Sequence, residues 1–90
     1  MSTIHAIVEG LVQGVAFREF TRRQAVSLGL NGWVRNLPNG TVEAMLQGPA
    51  DRVEAMRQWL QHGSPRARVE RLLLLELAQS EMFSSFEIRF

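Results

Sequence analysis

The chain contains no cysteine. It can form no disulfide and offers no thiolate nucleophile, which excludes a cysteine-dependent phosphatase and makes the cytoplasm the expected compartment. Lysine is also absent, since every basic residue is arginine. Schiff-base chemistry and a P-loop lysine are therefore ruled out. The only aspartate, Asp51, cannot form an aspartyl pair or a metal cluster alone, and His5 and His62 are far apart with no ligand spacing. No metal site is expected.

Long apolar runs are missing too. The longest leucine run, Leu72 to Leu75, is far too short to span a bilayer, and "MSTIHAIVEG" lacks the basic start and continuous apolar stretch of a signal peptide. No membrane association is expected. Charge of one sign is scarce as well: the net charge is +1 and the arginines are scattered, which gives no general grip on nucleic acid. Neither internal repeats nor low-complexity linkers are visible.

What remains is a 90-residue chain, 46% apolar and 21% charged. That is enough for one domain over residues 1–90 with a single two-layered core, and for one site built on it. From Ile4 to Val8, Ile4, Ala6 and Val8 fall on one face, against His5, Ile7 and Glu9, as in a half-buried strand. Phe17, Phe20, Ala25 and Leu28 recur near helical spacing, with Gly29 where a C-terminal glycine belongs. Trp33 and Val34 lie in a second strand, and Val42, Ala44 and Leu46 alternate in a third, with "LPNG" as the turn between them.

Pro49 opens a second helical pattern that carries Val53, Met56 and Leu60 on one face and closes at Gly63. It is expected to be shorter than the first. "RVERLLLLELAQ" is strand or helix by periodicity, and its place after a helix favours strand. "SSFEIRF" alternates Phe86, Ile88 and Phe90 against Glu87 and Arg89 as a short final strand. The order predicts an α+β fold: a ferredoxin-like two-layer sandwich, βαββαβ, with an antiparallel sheet, both helices on one face and an additional short C-terminal strand. The position of that last strand does not follow from its sequence. Trp33, Phe17, Phe20, Trp59 and Phe86 read as packing residues. His5 reads as an outward strand residue and His62 as the end of the second helix, neither with an acid–base partner.

The fold decides little about function, since unrelated activities share it. The informative stretch is "VEGLVQGVAFREFTRR", where Arg18 stands at the start of a helix whose unpaired N–H groups already carry roughly half a positive charge. From Gln13 to Arg18 the chain leaves a strand, turns and enters the helix, so the N–H groups of Gly14, Val15, Ala16, Phe17 and Arg18 can converge on an anion. The Arg18 fork would add two parallel charge-assisted hydrogen bonds to a phosphoryl group. The plainer alternative has Gly14 making a tight turn and Arg18 reaching solvent, its charge offset by Glu19. Asn36, shortly before Leu37, Pro38 and Asn39, is likewise readable as a turn former.

Two separated motifs tip this balance. "GLVQGVAFR" from Gly10 to Arg18 and "GWVRNLPNGTVEAMLQGP" from Gly32 to Pro49 resemble the acylphosphatase family, and the similarity continues through "GSPRARVER" to the closing "FEIRF". The resemblance implies that Arg18 binds the phosphoryl group with the amides of the loop Gln13, Gly14, Val15, Ala16, Phe17 and Arg18, and that the Asn36 side chain holds the attacking water. It implies a small-molecule acyl phosphate as substrate, cleaved to carboxylate and inorganic phosphate with no cofactor and no metal. Leu11 and Ala16 occupy positions where the family varies, which leaves rate and acyl preference open.

Three other readings stand beside this one. A noncatalytic anion-binding regulatory domain would keep the cradle without productive water geometry. An RNA-binding module of the same fold would need aromatic-rich first and third strands, which are not seen. A module of a larger carbamoyl-transfer maturation protein would be longer, so a free-standing monomeric enzyme is expected.

Overall fold

The structure, a computed structural model, describes residues 1–78 and 81–90. In chain order the elements are β1 (Ser2–Leu11), α1 (Phe17–Ser27), β2 (Asn31–Asn36), β3 (Val42–Gly48), α2 (Ala50–Leu60), β4 (Arg68–Glu76) and β5 (Phe86–Arg89). The ferredoxin-like expectation holds. The run expected as a strand after α2 is β4, and its last residue, Gln79, lies outside the described residues.

The strands form one sheet in the order β4-β1-β3-β2-β5. Four strands pair antiparallel, as expected, but β5 runs parallel to β2, with Val34 opposite Ile88. The sheet is therefore mixed: the antiparallel pairing expected for the sandwich holds in its four strands, and the additional strand, whose place the sequence left open, is the parallel one. The chain returns across the end of the sheet between β4 and β5, and the Gln47 side chain stitches that segment down: its Nε2 donates to the Glu81 carbonyl (3.0 Å) and its Oε1 accepts from the Phe83 amide (3.0 Å). This return brings β5 in beside β2, so the sheet gains an edge next to the N-terminal end of α1.

Helix α1 buries Phe17, Thr21 and Ala25, an i, i+4, i+8 stripe, against β2 and β5. It stops where Gly29 takes φ 71°. Gly29 then donates to the Val26 carbonyl (3.0 Å) and Leu30 to the Ala25 carbonyl (2.9 Å), the paired bonds of a Schellman end, and Leu30 is buried beyond it. Helix α2 follows Pro49 and buries Val53, Met56 and Leu60. Both helices are 11 residues long, so the expected difference in length is not found.

The core lies between the helices and one sheet face: Ile4, Ala6 and Val8 of β1, Val42, Ala44 and Leu46 of β3, and Val34 of β2 meet Phe17, Met56 and Leu60. Burying each larger side chain stabilises by about 1.5–3 kcal/mol, and Leu46→Ala would cost about 2–5 kcal/mol. Trp59 is half-buried and tilted against Phe17, with ring centroids 6.0 Å apart. Phe20 is also only half-buried.

Trp33 is on the other sheet face, away from the helices. It is 9% exposed because the guanidinium groups of Arg35 and Arg89 cover its ring at 5.2 and 4.8 Å. His5 faces the same way, as expected, but it does have an acidic partner: its Nε2 is 2.7 Å from Glu43 Oε2, diagonally across the β1–β3 pair. Glu43 Oε1 accepts from Arg35 Nε at 2.6 Å. Burial pushes the Glu43 carboxyl up, but the hydrogen bonds and charges of His5 and Arg35 outweigh it and hold the group below its ordinary value.

Candidate active site

β1 ends at Leu11, and α1 does not begin until Phe17. Between them Gly14 (φ 75°) and Ala16 (φ 58°, ψ 27°) both take the left-handed conformation. Glycine does so freely. For Ala16, the only non-glycine with positive φ among the described residues, it costs about 1–2 kcal/mol. Left-handed residues set among ordinary ones turn successive N–H groups toward one concave side, the arrangement that binds anions.

Ala16 is also the residue preceding α1, and it has no side chain to cap the helix. The first helical bond runs from the Phe20 amide to the Ala16 carbonyl (3.1 Å). The N–H groups of Phe17, Arg18 and Glu19 therefore lack a protein acceptor among the described residues. A strained loop that leaves its helix uncapped is hard to account for unless something negative completes it.

Three hydrogen bonds from two side chains hold this loop in place. Gln13 Nε2 donates to the carbonyls of Leu37 and Thr41, each at 2.8 Å, and Ser64 Oγ donates to the Val15 carbonyl at 3.0 Å. Gln13 thus belongs to the loop as expected, but its side chain is a brace to the β2–β3 turn. Sequence could not have distinguished a brace from a ligand there.

Arg18 is half-buried, and its Cζ lies 4.9 Å from the centroid of the Phe90 ring. It has no carboxylate within 4.0 Å among the described residues. Glu19, which could have offset it, pairs instead with Arg22 and with Arg23 (3.2 Å), and the Arg22 hydrogen bond holds the Glu19 carboxyl below its ordinary value despite some desolvation. Glu19 is thus not paired with Arg18, contrary to the offset expected in the plainer alternative.

Asn36 ends β2 on the helix-facing side, in register with Val42. Its Oδ1 is buried without a hydrogen-bond partner; in the neighbouring turn Asn39, not Asn36, accepts from Thr41. An orphaned amide oxygen costs about 1–3 kcal/mol, which a bound water would recover. Gly14, Ala16, Phe17, Arg18 and Asn36 line one hollow of about 190 Å³. That is below the roughly 300–1,000 Å³ usual for drug-sized ligands and suits a small anion with a water.

Ile88 and Phe90 form another wall of the same hollow. Sequence reasoning missed both as site residues. The alternation of "FEIRF" put Phe86, Ile88 and Phe90 on one face, but only the parallel pairing with β2 carries that face to Arg18. Among the described residues no group of three or more His, Asp or Glu side chains is placed to hold a metal ion, and no helix is long and apolar enough to cross a membrane.

A ferredoxin-like sandwich with an open amide loop, an arginine and a buried asparagine around one small hollow is an α+β domain whose site suits a small anion. Comparison with known proteins narrows the class. The family model described as acylphosphatase matches residues 4–88. An acylphosphatase of Paraburkholderia xenovorans is 48% identical over 97% of this chain and 90% of its own length. The crystal structure of acylphosphatase from Bacillus subtilis superposes with a TM-score of 0.97 at 33% identity, covering 100% of both chains. An acylphosphatase structure from Coxiella burnetii gives 0.93 at 41% identity, covering 98% of this chain and 92% of that one.

The chain belongs to the acylphosphatase family. Its activity is that of a hydrolase acting on the acid anhydride of acyl phosphates, and the noncatalytic anion-binding alternative is the less supported reading.

Proposed function

We propose that Arg18 and the amides of the Gln13–Arg18 loop bind the phosphoryl group and that Asn36 positions the attacking water. The observation that carries this reading is the convergence of Arg18, the acceptor-free amides and the orphaned Asn36 Oδ1 on one hollow.

An acyl phosphate is a mixed anhydride. Water oxygen attacks phosphorus, the bond from phosphorus to the acyl oxygen breaks, and its electron pair leaves on a stable carboxylate. No proton has to be given to that departing group, so the reaction requires neither a strong general acid nor a cofactor. In the transition state charge spreads over the equatorial phosphoryl oxygens, where fixed N–H donors and a planar guanidinium stabilise it. The Asn36 amide oxygen accepts one hydrogen bond from water and holds it in line with the breaking bond. A phosphoryl oxygen takes the water's second proton: neither His5, on the far sheet face, nor the exposed His62 lines the site, and Glu19, the carboxylate that does, is engaged by Arg22 and Arg23, and the Arg22 hydrogen bond lowers its basicity.

The substrate is a small acyl phosphate, and the enzyme works as a cytoplasmic monomer with no nucleic-acid partner. Net charge near zero and the absence of an aromatic-rich first strand support the last point. The test is hydrolysis of benzoyl phosphate by purified protein with a chelator present. Turnover that survives chelation supports the reading; phosphate binding with no turnover would return the chain to the anion-binding alternative.

A further inference from the structure

A second hollow, of about 270 Å³, adjoins the phosphoryl site and shares Gly14 and Ala16 with it. Val15, Phe20 and Pro65 give it apolar walls, and Arg66 contributes a cation. The connection between α2 and β4 that carries Pro65 and Arg66 is tied to the phosphate loop. The Ser64 side chain, in a residue 2% exposed, donates to the Val15 carbonyl and its backbone carbonyl accepts from the Ala67 amide at 2.9 Å, while Gly63 is close enough to the Phe17 ring that a Cβ there would meet it. The two hollows are therefore held in fixed relation.

Arg66 is unusual among the arginines. Seven of them have a carboxylate within 4.0 Å. Among the described residues the exceptions are Arg18, Arg66 and Arg68, of which only Arg18 and Arg66 line these hollows. A second uncompensated cation beside an already positive loop is electrostatically unfavourable in the empty site and favourable once a second anion arrives.

We propose that this second hollow holds the acyl chain of the substrate and that Arg66 binds a carboxylate at its far end, so that the preferred substrates are acyl phosphates of dicarboxylic acids. The inference rests on the reading of the Gln13–Arg18 loop as the phosphoryl site and adds to it the class of acyl group. The apolar walls accept the methylene chain, and the guanidinium supplies two parallel donors to the distal carboxylate.

The experiment compares succinyl phosphate with butyryl phosphate, which has the same chain length and no second charge, in the parent, Arg66→Ala and Arg68→Ala. Arg66→Ala should lower kcat/KM for succinyl phosphate roughly three- to tenfold, through KM, and leave butyryl phosphate unchanged, as befits a partly solvated ion pair. Arg68→Ala, with the same loss of charge outside the hollow, should change neither. Equal effects of Arg66→Ala on both substrates, no effect on either, or the same selectivity loss in Arg68→Ala would each overturn the subsite. Failure of the parent to hydrolyse either substrate would instead overturn the underlying reading of the loop, and the subsite with it.

Discussion

Gln13 donates a 2.8 Å hydrogen bond from its side chain to the carbonyl of Leu37, joining the Gln13–Arg18 loop to the residue that follows Asn36. A matching bond to Thr41 closes the bracket. The arginine and the asparagine come from elements far apart in sequence, so this brace sets the distance between them. Gln13→Ala should therefore lower kcat about tenfold while changing the affinity for inorganic phosphate less than about twofold, because misplacement hurts the reaction more than the capture of its anion. Steady-state kinetics with phosphate as competitive inhibitor separates the two. A purely structural residue would lower the melting temperature and leave the ratio untouched.

Phe90 is 99% exposed, but its ring centroid lies 4.9 Å from Arg18 Cζ and it lines the hollow that Arg18 and Asn36 share. A cation–π contact at an exposed site contributes about 0.5–1 kcal/mol. Phe90→Ala should raise KM for benzoyl phosphate about two- to fivefold, with Phe90→Trp restoring it.

Gly63 has φ 72°, and a Cβ there would come within 2.3 Å of the Phe17 ring, which stands where the loop enters α1. Gly63→Ala should destabilise the protein by about 1–3 kcal/mol through overpacking and backbone strain. Urea denaturation measures this directly. Because the clash is with the first residue of α1, phosphate affinity should fall as well.

Glu43 supplies a pH dependence that is independent of the active site. Its carboxyl is held below the ordinary value of 4.5 in the folded protein. The stabilisation is therefore present above pH 4.5 and is lost as the pH falls through the lowered folded value. Glu43→Gln should cost about 1–2 kcal/mol at pH 7 and progressively less below pH 4.5. A constant cost across that range would contradict the ion-pair account.

The parts of this structure that were legible in sequence are those written in local pattern. Alternation in β1 and β3, the Phe17–Ala25 stripe and Gly29 were enough for the sandwich, and the motifs around Arg18 and Asn36 were enough for the family. Long-range pairing was not legible. Nothing in four residues of β5 says that they will run parallel to β2, so Ile88 and Phe90 were not seen as site residues. The His5–Glu43 bond needs the register of β1 on β3, and it was missed for the same reason. The Gln13 brace depends on which way one side chain turns out of a loop, a choice made by carbonyls 24 and 28 positions away.

The most direct test of the central claim measures, in Arg18→Ala and Asn36→Ala, both turnover of benzoyl phosphate and the inhibition constant for inorganic phosphate. Loss of a donor at the transition state costs about 100- to 1,000-fold in rate, and misplacement of the attacking water costs about 100-fold, so Arg18→Ala and Asn36→Ala should each lose turnover on those scales. Phosphate affinity should collapse in Arg18→Ala and stay within about twofold of the parent in Asn36→Ala. Equal weakening of phosphate binding in the two variants would contradict the division between an arginine that holds the anion and an asparagine that holds the water.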